Sequence, residues 1–289
     1  MAILIDGKSI AGKIRGEIAV EVNRLESHGI VPGLAVILVG DNPASTVYVR
    51  MKEKACRDVG IHSDEYKLPA AASENEILSL IDSLNRKKSI HGILVQLPLP
   101  KHINESMIIE AISPEKDVDG FHPYNVGRLI TGKPIFQPCT PYGIMVMLNK
   151  SGIDLAGKEV VVVGRSNIVG KPVAFMCLQQ NATVTLCHSK TRNLPEKVKM
   201  ADVLIAAVGK PEMIKGDWVK EGAVVVDVGV NRTGDKTLVG DVEFSTAAQR
   251  ASYITPVPGG VGPMTITMLL YNTLQSAKRT IHDSIIFSP

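Results

Sequence analysis

Continuous apolar runs alternate with amphipathic stretches along most of this chain. From Ser9 to His28, Ile10, Ile14, Ile18, Val22 and Leu25 recur on one helical face, and Gly29 follows as a stop. Leu34 to Val39 is uninterrupted apolar sequence, the signature of a strand covered on both faces. Pro43 to Val59 and Ser73 to Lys87 read as helices, and Gly92 to Leu97 as a second buried strand. That order predicts a βαβ series and a mostly parallel sheet. Thr131 to Tyr142 carries Gly132, Pro134, Pro138 and Pro141, and is the best place for a domain boundary. A second βαβ series follows, with strands at Val160–Val163, Ala182–Leu186, Val203–Val208 and Ala223–Val226. A final helix, from about Pro263 to Lys278, begins after that series has closed and is free to pack back on the first domain. The expected fold is α/β, with two αβα-type domains. The first is discontinuous (1–139 plus 264–289) and the second spans 140–263.

A length of 289 residues suits two domains, and 45% hydrophobic content is enough for two cores. Aromatic residues make up only 4%, so aliphatic side chains must fill those cores. A net charge of +3, with both signs interspersed, argues for neither nucleic acid nor a membrane surface, though it suits an anionic small molecule. Cys56, Cys139, Cys177 and Cys187 have no C-x-x-C spacing and no nearby histidine to complete a zinc pattern. They read as reduced thiols in or near the core of a cytoplasmic protein, with no metal. The opening Met1 to Gly7 reads as a short strand and turn without a basic leader, so no signal peptide is expected. No apolar run approaches the ~18–20 residues that a membrane span needs.

Chemistry concentrates in a few strings. Val160–Val163 runs straight into Gly164-Arg165-Ser166-Asn167-Ile168-Val169-Gly170, the strand–glycine turn–helix order of a dinucleotide site. Gly164 suits the tight turn and Gly170 a close helix–strand approach. Ser166 stands where the usual fingerprint has a glycine beside the pyrophosphate. A plain βα turn is the competing reading. The next strand ends at Cys187-His188-Ser189-Lys190-Thr191-Arg192, with no acid where NAD-specific folds bind the ribose 2′-hydroxyl. Ser189, Lys190 and Arg192, with Arg165, would accept a 2′-phosphate, which favours NADP over NAD. Alternatively, they are solvated loop charges.

In the first half, Tyr48 and Lys52 share a helix face. Tyr-x-x-x-Lys also occurs in short-chain dehydrogenases, but there the glycine turn comes first. An ordinary surface helix carrying Lys52, Lys54 and Arg57 is the bland alternative. Gln96 closes a buried strand just before Pro98-Leu99-Pro100, where open α/β sheets bind ligands; it is a site residue or a satisfied strand-end amide. Lys116-Asp117-Val118-Asp119-Gly120 lacks the further ligands of a calcium loop and can be a simple Asx turn. Pro258-Gly259-Gly260-Val261-Gly262-Pro263 can be neither helix nor ordinary strand. It is a tight strand-to-helix turn or a place where bare backbone meets a ligand.

Taken in order, these strings resemble one family over nearly the whole chain. They are Tyr48-Val49-x-x-Lys52-x-Lys54-Ala55, His91 to Pro100, Lys116 to Gly120, Pro138-Cys139-Thr140-Pro141, Gly164 to Gly170, His188 to Thr191, and Thr255 to Thr265. The set is similar to the bifunctional methylenetetrahydrofolate dehydrogenase/methenyltetrahydrofolate cyclohydrolases. The resemblance implies a folate-binding domain, a Rossmann-like NADP-binding domain, a cleft between them and a homodimer built through the nucleotide domains. It implies oxidation of 5,10-methylenetetrahydrofolate with NADP+, then hydrolysis of the methenyl product to 10-formyltetrahydrofolate, which serves purine biosynthesis. Lys52, Gln96, Tyr48 and Asp119 would be the catalytic residues, with Lys52 directed by Gln96 and Asp119 on the pterin edge. Val95, Leu97, Pro258, Gly259, Gly260, Val261 and Gly262 would complete the folate site. Thr140, Gly164, Arg165, Ser166, Ser189 and Val230 would hold NADP, and Lys52 and the nicotinamide would face the same carbon. A dehydrogenase without hydrolysis, and a nucleotide-binding scaffold with a vestigial cleft, are the alternatives. Retention of Lys52, Gln96 and Asp119 argues against both.

Overall fold

Two parallel sheets organise the chain, each in its own unit. The computed structural model describes residues 1–234 and 237–286. In chain order its elements are β1 (Ile3–Leu4), α1 (Gly7–Glu26), β2 (Gly33–Val39), α2 (Pro43–Asp58), β3 (His62–Leu68), α3 (Glu74–Arg86), β4 (Gly92–Val95), α4 (Glu105–Ala111), α5 (Pro123–Ile130) and α6 (Cys139–Lys150). There follow β5 (Glu159–Val163), α7 (Gly170–Gln179), β6 (Thr183–Cys187), α8 (Leu194–Lys199), β7 (Val203–Ala206), β8 (Val224–Asp227), β9 (Asn231–Arg232), β10 (Leu238–Val239), α9 (Phe244–Arg250), β11 (Tyr253–Ile254) and α10 (Val261–Ile286). No helix among the described residues is long and apolar enough to cross a membrane.

One unit comprises Lys13–Gln137 and the chain from Ile266 on. Its sheet has the order β3-β2-β4, parallel throughout. Every residue of the central strand β2 is buried. Ala35, Ile37 and Val39 pack with Ile77, Ile81 and Leu84 of α3, Ile93 and Val95 of β4, and Ile108 of α4. The polar side chains of α10 act as hooks. Asn272 Nδ2 donates to Val118 O (2.8 Å) and Gln137 O (3.0 Å), and Ser276 Oγ donates to His91 O (2.6 Å) and Glu115 O (3.0 Å).

α2 starts cleanly because Asn42 Oδ1 accepts from the N–H groups of Ala44 (3.0 Å) and Ser45 (3.2 Å), and Pro43 fills a position whose N–H would have no helical partner. Asn42→Ala is expected to lower stability by about 1 kcal/mol. Urea titration checks this: the midpoint should drop at unchanged slope.

The other unit comprises Met1–Gly12 and Pro138–Thr265. Its sheet has the order β1-β11-β8-β7-β5-β6, again parallel. β7 and β8 are buried throughout. Val161, Val163, Leu204 and Val225 pack with Val198, Ile214, Val242 and Ala247. The N-terminal strand, which the sequence pattern grouped with the first domain, pairs with β11 and so belongs here: Ile3 faces Tyr253 and Leu4 faces Ile254. The proline-rich boundary is partly helical. Pro138 is the N-cap of α6 and Pro141 lies in its first turn, where a missing N–H costs no hydrogen bond.

Candidate active site

Tyr48 and Lys52 lie one turn apart on α2. Tyr48 is 40% exposed, whereas Lys52 is only 9% exposed, its stem sharing the buried stripe of Val49 and Cys56. A lysine so far from water needs a partner, and Lys52 Nζ donates to Gln96 Oε1 at 3.0 Å. Gln96 follows β4. Its N–H donates to Ile37 O (2.9 Å) and its Nε2 to Leu97 O (2.8 Å), which turns Oε1 toward the lysine. The amide therefore serves both the strand end and the amine. Cys56, one turn further along α2, is no nucleophile, because burial pushes its thiol up to about 12.

The two acids of the Asp117–Gly120 string divide the work. Asp117 is 1% exposed and accepts from Phe121 N (3.2 Å), His122 N (2.8 Å) and Asn125 Nδ2 (2.8 Å), so it builds the turn. Burial raises its pKa to about 7, against the pull of those hydrogen bonds. Asp119 is half-buried and lines a small cavity with Val95, Leu97, Ile112 and Phe121. Asn272 holds the carbonyl of the preceding Val118. Among the described residues no cluster of three His, Cys, Asp or Glu side chains could hold a metal ion.

The glycine turn before α10 has packing reasons of its own. Gly259 has φ +107° and its carbonyl accepts from Lys8 N at 2.9 Å. A Cβ on Gly260 would meet Pro256 O at 2.6 Å, and one on Gly7 would collide with Gly260 O. Pro258 is exposed, Val261 is buried, and a side chain at Gly262 would meet nothing.

In the same unit as this turn, β5 runs into Gly164, at φ +127°, whose N–H donates to Cys187 O (2.9 Å). A Cβ there would collide with Ala207 O, and a Cβ on Gly170 would collide with Gly164 O. The turn is folded tightly on itself, with Arg165, Ser166, Asn167 and Ile168 exposed on its outside. Ser166 Oγ accepts from Val169 N (3.1 Å) and Gly170 N (3.3 Å), so this serine shapes the start of α7. Beyond β6, His188 N donates to Thr191 Oγ1 (2.8 Å) and Lys190 N donates to His188 Nδ1 (3.1 Å). His188 thus braces the turn through an unprotonated Nδ1, leaving Ser189, Lys190 and Arg192 exposed. Thr140 Oγ1 bonds Thr265 Oγ1 at 2.9 Å, and Val230 is 49% exposed just past β8. Asp227 and Asp241, not singled out from sequence, are buried beside it.

A parallel sheet with a dinucleotide-type turn, joined in one chain to a second α/β unit holding a buried lysine, defines a two-domain nucleotide-dependent enzyme. Residues 5–119 match the tetrahydrofolate dehydrogenase/cyclohydrolase catalytic domain, and residues 138–281 match the tetrahydrofolate dehydrogenase/cyclohydrolase NAD(P)-binding domain. The chain belongs to the tetrahydrofolate dehydrogenase/cyclohydrolase family. The bifunctional protein FolD of Geotalea daltonii is 77% identical over 279 residues, covering 96% of this chain and 100% of that protein. The Campylobacter jejuni bifunctional FolD structure superposes with a TM-score of 0.95 at 52% identity, covering 97% of this chain and 100% of that one. The Trypanosoma brucei FolD, solved with NADP cofactor and an inhibitor, superposes with a TM-score of 0.94 at 42% identity, covering 97% and 98%.

Proposed function

We infer that the chain is a bifunctional enzyme of folate one-carbon metabolism. It oxidises 5,10-methylenetetrahydrofolate to 5,10-methenyltetrahydrofolate with NADP+ and hydrolyses the product to 10-formyltetrahydrofolate. The observation that carries this reading is the buried Lys52 amine held by Gln96 at 3.0 Å, in a chain that has both domains of the family.

The nucleotide fits the residues present. The turn at 164–170 has no room for side chains inside and offers exposed ones outside. The end of β6 supplies Ser189 and Lys190 where an acid would select NAD. Arg165 and Ser189 would hold the 2′-phosphate, the Ser166 hydroxyl would donate a hydrogen bond to the pyrophosphate, and Gly164, Thr140 and Val230 would border the rest. NADP+, when bound, accepts the hydride from the methylene carbon. That step needs no protein acid, only contact between the two carbons.

Hydrolysis does need proton movement. Lys52 would take a proton from the water that attacks the methenyl carbon, and Gln96 would aim the amine. Tyr48, exposed on the same helix face, would lie against the folate rings. Asp119 would accept from the pterin N–H edge, in the cavity it lines with Val95 and Leu97. The test is one assay of formyl product from methylenetetrahydrofolate with NADP+. Methenyl compound that accumulates without hydrolysis would leave a dehydrogenase only, and no reaction would overturn the reading.

We also propose that the chain is a homodimer of the reducing cytoplasm. β6 leaves one edge of the six-stranded sheet unpaired, with Leu186 exposed on it and Leu178 exposed on the preceding α7, and all four cysteines are buried free thiols. Sedimentation should return twice the chain mass; the single mass would refute the dimer.

A further inference from the structure

Two buried carboxylates gather the loops at the carboxyl end of the six-stranded sheet. Asp227, the last residue of β8, is 4% exposed and accepts from the N–H groups of Gly229 (2.9 Å), Asp241 (2.8 Å) and Val242 (2.9 Å). Asp241, just past β10, is fully buried and accepts from the N–H groups of Val208 (2.6 Å), Gly209 (3.0 Å) and Lys210 (3.0 Å) and from Asn231 Nδ2 (2.9 Å). The two carboxylates together thus spend their acceptor sites mostly on main chain, drawn from three separate segments. The neighbouring glycines leave room for them: a Cβ on Gly240 would collide with Asp227, and one on Gly229 with Asp241.

These segments lie where the nucleotide is assigned. Val230 stands exposed between Gly229 and Asn231, both tied into the arrangement. The 208–210 loop continues from Ala207, whose carbonyl closes the space beside Gly164. Neither Lys52 nor Gln96 belongs to this unit.

We propose that Asp227 and Asp241 are positioning residues for hydride transfer, fixing the 208–210 and 229–231 backbone against the nicotinamide end of the nucleotide and playing no part in hydrolysis. The proposal rests on the assignment of NADP+ to this domain. It also implies an acid limit. Burial pushes the Asp227 pKa up to about 6, and the charged group facing it is Asp241; Thr255, just past β11, brings only a hydroxyl, which accepts from Asp227 N. Because the folded value lies above the ordinary carboxylate value, protonation as pH falls through about 6 relieves the cost of burial and does not unfold the domain. It does turn one acceptor oxygen into a donor facing N–H groups, so the loops lose their anchor while the fold stays.

The test uses the full-length Asp241→Asn variant near neutral pH. It is assayed for NADP+-dependent oxidation and, without nucleotide, for hydrolysis of methenyltetrahydrofolate. We expect kcat/KM for NADP+ to fall at least about tenfold while hydrolysis stays within about twofold. Loss of neither activity, or equal loss of both, overturns the proposal. If that variant does not fold, the unaltered enzyme decides. KM for NAD+, which has no 2′-phosphate to titrate, should rise about tenfold from about pH 7 to about pH 5 with unchanged circular dichroism. A flat profile overturns the proposal. An unaltered enzyme that oxidises methylenetetrahydrofolate with neither nucleotide removes the underlying functional reading instead.

Discussion

Lys52→Met is expected to cut methenyl hydrolysis by roughly a hundred- to ten-thousandfold while NADP+ affinity changes by less than about twofold. Methionine keeps the length of the stem, so the apolar contacts along the buried face of α2 survive. What disappears is the amine, the only part of the side chain able to exchange a proton with water at the methenyl carbon. The nucleotide-assigned residues lie in the other unit and do not depend on this side chain. Some stability is also lost, because Gln96 Oε1 loses the donor that Lys52 supplies at 3.0 Å. A deprived buried acceptor costs about 1–3 kcal/mol, and Gln96 is only half-buried, so the lower end applies. Loss of methenyl absorbance, followed beside an NADP+ titration, separates the two effects. Hydrolysis at the unaltered rate would remove Lys52 from the mechanism.

Most of the strands read in advance are buried on both faces; the exception is β6, a partly exposed edge strand read from the run Ala182–Leu186. β2, β5, β7 and β8 are buried along almost their whole length, and a strand covered on both faces reads as a continuous apolar run. β3 was missed for the converse reason. His62-Ser63-Asp64-Glu65-Tyr66-Lys67-Leu68 sits at the sheet edge, pairs only with β2, and carries charges that deter further pairing. α6 was hidden by prolines that punctuate a sequence but are harmless at a helix start. β1 was placed in the wrong unit because apolar pattern identifies a strand without naming its partner. The site divides in the same way. The Tyr48/Lys52 spacing and the Gly164 turn are local patterns, and both were legible. The Lys52–Gln96 bond joins a helix to a strand end and was legible only through the family's order of motifs. Asp227 and Asp241 bind mostly main-chain N–H groups, which every residue but proline owns, so no side-chain pattern announces them.

The choice between nucleotides is assigned to the loop after β6, and on that assignment Ser189→Asp should reverse the preference. The change puts a carboxylate where a 2′-phosphate is assigned and restores the acid that bonds a ribose 2′-hydroxyl in NAD-specific folds. Two unit charges ~4 Å apart repel by about 1 kcal/mol in water and about 4 kcal/mol near a protein surface of intermediate dielectric. Ser189 is exposed, so the lower part of that range applies. NADP+ should weaken by roughly ten- to thirtyfold, with NAD+ unchanged or improved. Lys190 and Arg192, exposed in the same turn, soften the repulsion without cancelling it, because a solvated cation is screened over ~10 Å in ordinary buffer. The same screening supplies an internal control. Added salt should narrow the gap between the two nucleotides in the variant, whereas a loss caused by a distorted turn would persist. His188 braces that turn through its main chain and ring Nδ1, neither of which the substitution touches. Calorimetric titration of both nucleotides at two salt concentrations decides the matter, and equal losses for NADP+ and NAD+ would mean that this serine does not face the 2′-phosphate.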